Sequence, residues 1–295
     1  MGAVLLAGAV GVVACSSDDD KSNGGGDDQP APKSGFVNVF NSKIVVGSVE
    51  AGSYQATASF VDASGLTGGE QGTKCETTKD GSCTLVLCPT GTAADAGPGT
   101  DGGTAKIVHA GPIDITGASE SPLKLDPLSD GTYKSAQGGK SIWNGGEELK
   151  IHAAGNTSAV GSFDATLKAP SNVNVTAPAW EATSSGPTID RSKDLDLAWS
   201  LSGGSASGQI QTFLSGLAAG GGKSASLTCT HAVADGKAKI PSALLSKFEA
   251  AKTSFSMLAV EKNTQTVSPD WKVTLLLQST ASREGGVAAG LATVK

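Results

Sequence analysis

Asp194–Leu201 reads DLDLAWSL and Asp270–Gln278 reads DWKVTLLLQ, and these two stretches decide the fold class. Successive side chains of a β-strand point to opposite faces, so residues i, i+2 and i+4 share a face. On that parity Leu195, Leu197, Trp199 and Leu201 line one face, opposite Asp194, Asp196 and Ser200. Trp271, Val273, Leu275 and Leu277 do the same in the second stretch. Tryptophans buried among aliphatic neighbours make a sandwich core. At about 25 cal/mol per Å² of apolar surface, each contributes several kcal/mol before chain entropy is subtracted.

The same texture extends outward in both directions. From Phe36 onward, short apolar alternations are broken by glycine about every ten residues, the pattern of sandwiches and barrels. Expected strands in the first half are 36–40, 54–61, 84–88, 106–109, 113–116, 149–152 and 163–167. The second half adds 173–176, 195–201, 209–213, 226–230, 237–240, 255–260 and 271–277. One short helix is expected over 242–250, after Pro241. Glycine numbers 40 of 295 residues, aromatics are 4 % and charged residues 17 %, which suits a turn-rich β protein. The expectation is an all-β chain with two Ig-like, β-sandwich-like units in tandem. They would span 36–169 and 170–283, meet near Ala169-Pro170, and be followed by a tail at 284–295. The low-complexity run 90–104 (TGTAADAGPGTDGGT) reads as a surface loop.

The N-terminus carries the address. Ala3–Ala14 (AVLLAGAVGVVA) is an apolar run too short to span a bilayer, which takes about 20 residues. It ends in Val12-Val13-Ala14-Cys15, which resembles the bacterial lipobox, with Cys15 at the acylated position. Residues 1–14 are therefore expected to be a lipoprotein signal peptide and Cys15 the site of lipidation. The opening Met1-Gly2-Ala3 lacks the usual basic residues, so the true start is expected upstream. Myristoylation is disfavoured because Leu6 stands where Ser or Thr is needed. Ser16 rather than Asp after Cys15 favours, by family resemblance, export to the outer membrane. The next stretch, 15–35, is acidic, glycine-rich and proline-containing, and reads as a disordered tether. Its Asp18-Asp19-Asp20 is better explained as solvated linker than as a calcium site.

Ile189–Ser200, 209–214, Thr228-Cys229-Thr230, Gly236–Pro241 and Asp270–Thr274 resemble the Ig-like or fibronectin-III-like module of bacterial surface lipoproteins. Asn144-Gly145-Gly146-Glu147 and the Cys75…Cys83…Cys88 segment share in the likeness. The resemblance implies a surface location and a sandwich fold, and it brings no catalytic residues.

With Cys15 assigned to lipid, Cys75, Cys83, Cys88 and Cys229 remain, an even number in an exported chain and therefore two disulfides with three possible connectivities. If Asp80-Gly81 forms a tight hairpin turn, Cys75 lies opposite Val86 and diagonal to Cys88, while Cys83 faces the other way, free to meet Cys229. That favours Cys75–Cys88 with Cys83–Cys229. The rival is a zinc site of three cysteines with His109 or His152. Zinc ligands usually come in closer pairs, so no metal and no cofactor is expected.

Catalytic constellations are sparse. The sequence contains no Gly-x-Ser-x-Gly elbow, His-Glu-x-x-His helix or phosphate-binding glycine loop, and the only histidines are His109, His152 and His231. Glu147 and Glu148 are adjacent, so in a strand they point to opposite faces and cannot flank one bond. Asp126 and Asp130 read as turn residues. A net charge of −6 without a basic cluster argues against nucleic acid. With Trp199 and Trp271 assigned to the core, Trp143 and Trp180 are the candidate ligand-binding aromatics, although scattered aromatics are more commonly core. The expected role is non-catalytic, structural or interacting, at the cell envelope, with the membrane as partner through the lipid. The alternatives are a carbohydrate-binding or adhesion module recognising envelope glycan or protein, and then an exported hydrolase.

Overall fold

A computed structural model describes residues 33–46, 49–64, 75–90, 105–180, 186–201 and 207–295. The expected signal peptide, Cys15 and most of the tether lie outside the described residues, as does nearly all of the 90–104 loop. The first half forms strands Lys33–Val46 (β1), Val49–Asp62 (β2), Glu76–Asp80 (β3), Cys83–Pro89 (β4), Lys106–Val108 (β5), Ile113–Thr116 (β6), Leu123–Leu125 (β7), Ala136–Gly138 (β8), Glu148–Ala153 (β9) and Phe163–Lys168 (β10). The second half forms Val173–Ala177 (β11), Thr188–Ile189 (β12), Leu195–Leu201 (β13), Gln209–Leu217 (β14), Lys223–Ala232 (β15), Lys237–Ile240 (β16), Lys252–Val267 (β17), Trp271–Thr280 (β18), Ser282–Arg283 (β19), Gly286–Val287 (β20) and Ala289–Val294 (β21). The chain is all-β. The expected helix is a single turn, Ser242–Leu245 (α1).

Three sheets build two cores. The large sheet runs β3-β4-β15-β14-β17-β18-β1-β2-β5, with β21, β12 and β8 joined to its side. A five-stranded sheet, β16-β13-β11-β19-β20, shares one core with the β4, β15, β14 and β17 portion of the large sheet. There Trp199, Leu197 and Val173 pack with Leu85, Leu227, Ile210 and Phe255. A four-stranded sheet, β10-β9-β6-β7, shares the other core with β1, β2 and β18. There Ile113, Ile151 and Phe163 pack with Val37, Phe60, Trp271 and Leu275. The two tryptophans that decided the fold class thus anchor different cores.

The strands do not divide into consecutive halves. β4, from the first half, pairs with β15, from the second, and β1 lies parallel to β18. The 16-residue β17 places Phe255, Met257 and Ala259 in one core and Val267 in the other. The tail expected at 284–295 contains β21, which pairs with β17 and β12. The end of the expected tether, 33–35, is already β1. Leu201, placed by parity on the buried face of β13, is 37 % exposed because it ends the strand.

Tyr133 shows how irregular chain is held in such a fold. The Ala110 N–H donates to its Oη at 2.7 Å, and the Oη–H donates to the Gly111 carbonyl at 2.8 Å. Gly111 itself has φ +69°, and a Cβ there would lie 2.4 Å from the Gly155 carbonyl oxygen. Burial pushes the Tyr133 hydroxyl up to about 12.

Candidate functional site

The hairpin β3–β4 carries three of the four described cysteines. Asp80 pairs with Cys83 across a two-residue turn, Gly81-Ser82, where Gly81 takes φ +56°. The expected Asp80-Gly81 turn is one residue too early, because Gly81 supplies the left-handed conformation from the first turn position. Val86 therefore faces Thr77 rather than Cys75. The structure joins Cys75 to Cys88 and Cys83 to Cys229. The first bridge closes the hairpin, and the second ties β4 to its neighbour β15, where Cys83 and Cys229 are directly paired.

His231 lies two residues beyond Cys229 on β15, on the same face by strand parity. Its Nδ1 is 3.1 Å from the Ser82 Oγ, and its Nε2 is buried without a hydrogen-bond partner. The Trp199 ring is 6.4 Å away, centroid to centroid. Burial lowers the imidazole pKa, against the raising influence of Asp235. His109 and His152 are elsewhere. His109 accepts the Gly111 N–H and faces Asn156, whereas His152 stands 2.8 Å from Asp164 on the exposed face of the four-stranded sheet. Neither reaches the cysteines, so the zinc alternative built on them has no geometric basis. Among the described residues, the one group of three His, Cys or carboxylate side chains close enough to share an ion is Cys83, Cys229 and His231.

Of the two candidate aromatics, Trp143 is enclosed in the core and Trp180 is partly covered. Trp143 is 2 % exposed, and its Nε1–H donates to Ser279 Oγ at 2.7 Å. It is a core residue because Asn41 receives the Ile142 N–H and draws this segment inward over β1. Trp180 is partly buried edge-on against Phe255, with the Arg283 guanidinium 4.4 Å from its ring centroid. Glu147 accepts the N–H groups of Asn144 and Gly145, each at 2.7 Å, and so fixes a turn. Glu148 is exposed beside Lys150.

A cleft of about 440 Å³ opens where β14 begins, lined by Gly208, Gln209, Val260, Glu261, Lys262 and Thr264. Pairing of β14 with β17 stops at Gln209 and Val260, and from Glu261 to Val267 β17 pairs with β18 alone. Gly208 has φ +90°, and a Cβ there would meet the Val260 carbonyl oxygen at 2.9 Å and Glu261 Oε2 at 3.0 Å. Burial raises the Glu261 carboxyl against the lowering influence of Lys168. Glu261 Oε2 lies at the Gly208 side of this cleft, where it is suited to hydrogen-bonding a polar group. The cleft escaped the sequence reading because it exists only where one strand ends beside a longer one.

Asp130, expected to be a turn residue, is one, and it belongs to a turn device whose repetition elsewhere the sequence reading did not find. Asp62, Asp130 and Asp190 each accept the backbone N–H and hydroxyl of the Ser or Thr two residues on, and Asn156 does so with Ser158. These bonds lower all three carboxyl groups, Asp190 to about 2. The pattern Asp/Asn-x-Ser/Thr was the available signal.

No protein-family model matches this chain, and no curated protein or solved structure does either.

Proposed function

We propose that this chain is an exported bacterial lipoprotein, anchored through Cys15, whose β body has a non-catalytic structural or interaction role at the cell envelope, and that it belongs with the Ig-like surface lipoproteins it resembles. The observation that carries the reading is the apolar run 3–14 ending in Val-Val-Ala-Cys, directly before an acidic, glycine-rich stretch. The Cys75–Cys88 and Cys83–Cys229 bridges support it, since such bonds persist in oxidising compartments. Two or three acyl chains hold a protein to a membrane essentially permanently, at about 0.8 kcal/mol per buried methylene. Burial of Trp143 removes one of the two aromatics a carbohydrate-binding reading would use, and the partly covered Trp180 keeps that reading second.

The test is expression from the native locus with an alkyne fatty acid label, followed by envelope fractionation. Label at Cys15 in the outer-membrane fraction, lost in Cys15→Ser, is expected. An unlabelled protein in the cytoplasm with free thiols overturns the proposal.

A further inference from the structure

The geometry points to a second state for Cys83, Cys229 and His231: once the disulfide is reduced, the three side chains form a Cys2His site for a thiophilic divalent cation such as Zn²⁺. The two sulfurs and a ring nitrogen of His231 lie within 4.8 Å of one another. A tetrahedral zinc ion takes sulfur at about 2.3 Å and imidazole nitrogen at about 2.0–2.1 Å. Its ligand atoms therefore sit roughly 3.5–4 Å apart. Cys83 and Cys229 stand directly opposite each other on paired strands, so their reduced sulfurs can part by side-chain rotation with the strand pairing kept.

Two further features fit a ligand role. A buried polar nitrogen with no partner is costly, and His231 Nε2 is one. Ser82 Oγ sits at Nδ1, where a metal-bound imidazole usually finds the outer partner that fixes its orientation. The fourth position is left for water.

The chemistry balances. A dithiol reductant attacks the Cys83–Cys229 bond, passes two electrons and two protons to the sulfurs, and itself closes to a disulfide. Metal binding then displaces the two thiol protons. Once the metal is lost, thiol–disulfide exchange with the disulfide form of such a dithiol restores the S–S bond, the exchanging disulfide taking up the two electrons and two protons. The same residues would hold β4 to β15 in either state. This inference does not depend on lipidation, because any cysteine-containing chain is reduced before its disulfides form.

The experiment uses the full chain carrying Cys15→Ser, Cys75→Ser and Cys88→Ser, so that Cys83 and Cys229 are the only thiols. Reduced and oxidised forms are titrated with Co²⁺, reading the thiolate-to-cobalt charge-transfer band, and then with Zn²⁺ as competitor. One Co²⁺ per reduced chain and none per oxidised chain is expected. His231→Gln should weaken binding by more than about tenfold, and Ser82→Ala by about tenfold. Circular dichroism of the reduced form tests folding alongside. If reduction loosens the fold, added metal must restore the native spectrum. A folded reduced chain that binds no Co²⁺ overturns the inference. So does an unfolded one that metal does not rescue, and so does binding indifferent to His231→Gln.

Discussion

Replacing Tyr133 by Phe removes a single oxygen from the second core. That oxygen receives the Ala110 N–H and donates to the Gly111 carbonyl, and both residues are buried. A buried donor or acceptor stripped of its partner costs about 1–3 kcal/mol, and here one of each is stranded. Partial relaxation brings the expected loss to about 2–4 kcal/mol, although the ring itself still fills its place. For a domain of this size about 2–4 °C of Tm accompanies each kcal/mol, so Tm should fall by roughly 5–15 °C. Urea and thermal unfolding followed by tryptophan fluorescence measure it. Alkali supplies an internal check. The folded hydroxyl titrates near 12 and the unfolded one near 10, so the folded state favours the neutral form. Its contribution is fully present below about pH 10 and is lost as pH rises toward about 12. Tyr133→Phe should flatten that decline. A variant within about 0.5 kcal/mol of the parent, with an unchanged alkaline slope, would refute the reasoning.

Other outcomes follow from particular contacts. Breaking Cys83–Cys229, which closes a 146-residue separation, should cost about 5 kcal/mol, against about 3 kcal/mol for Cys75–Cys88 at a separation of 13, by denaturation of the paired Ser variants. Gly117→Ala should destabilise severely, because its Cβ would lie 2.1 Å from the Glu148 carbonyl oxygen; Gly81→Ala meets no atom within 4 Å and should cost only about 1 kcal/mol. Acid titration should show stability falling as pH drops from about 4 toward about 2. Asp62, Asp130, Asp190 and Asp194 are all depressed in the fold, so their stabilisation is present above the unfolded carboxyl range and lost on protonation. Fragments 36–169 and 170–283, expressed separately, should show no cooperative unfolding transition. Each loses strands that complete the other's sheet, and a sharp transition in either would contradict the shared architecture.

The sequence carries faces, not partners. Alternation in DLDLAWSL and DWKVTLLLQ identified which side chains go inward, and Trp199 and Trp271 are indeed at most 4 % exposed. The same period cannot say that β1 pairs with β18 or β4 with β15, because those choices are made between residues far apart in the chain. β21 escaped for a different reason. AGLATV has weak strand propensity and holds its form through pairing with β17 and β12. β1 was expected to be shorter because Lys33-Ser34-Gly35 before it and Asn41-Ser42-Lys43 after it carry no apolar alternation. The disulfide pairing was legible because a hairpin restricts which faces its cysteines present, even with the turn misplaced by one residue. The site beside it was not, since His231 acquires its meaning only when β15 lies against the turn at Ser82.

The position of β1 connects the fold to the proposed anchoring. The strand begins at Lys33, so the tether from Cys15 would enter the body directly at it. β1 lies inside the large sheet, paired from Lys33 to Val46 with β2 and from Ser34 to Asn41 with β18. Val37, Val39 and the buried Asn41 fix its inner face, and Asn41 in turn holds the segment carrying Trp143. A pull from the membrane would therefore load two strand ladders and one whole core together, rather than peel away an edge. The same placement makes β1 depend on β18, which is formed by residues more than two hundred positions later. The sheet can close only after most of the polypeptide is present, and the Cys83–Cys229 bridge then fixes a second long-range strand pairing in the same sheet.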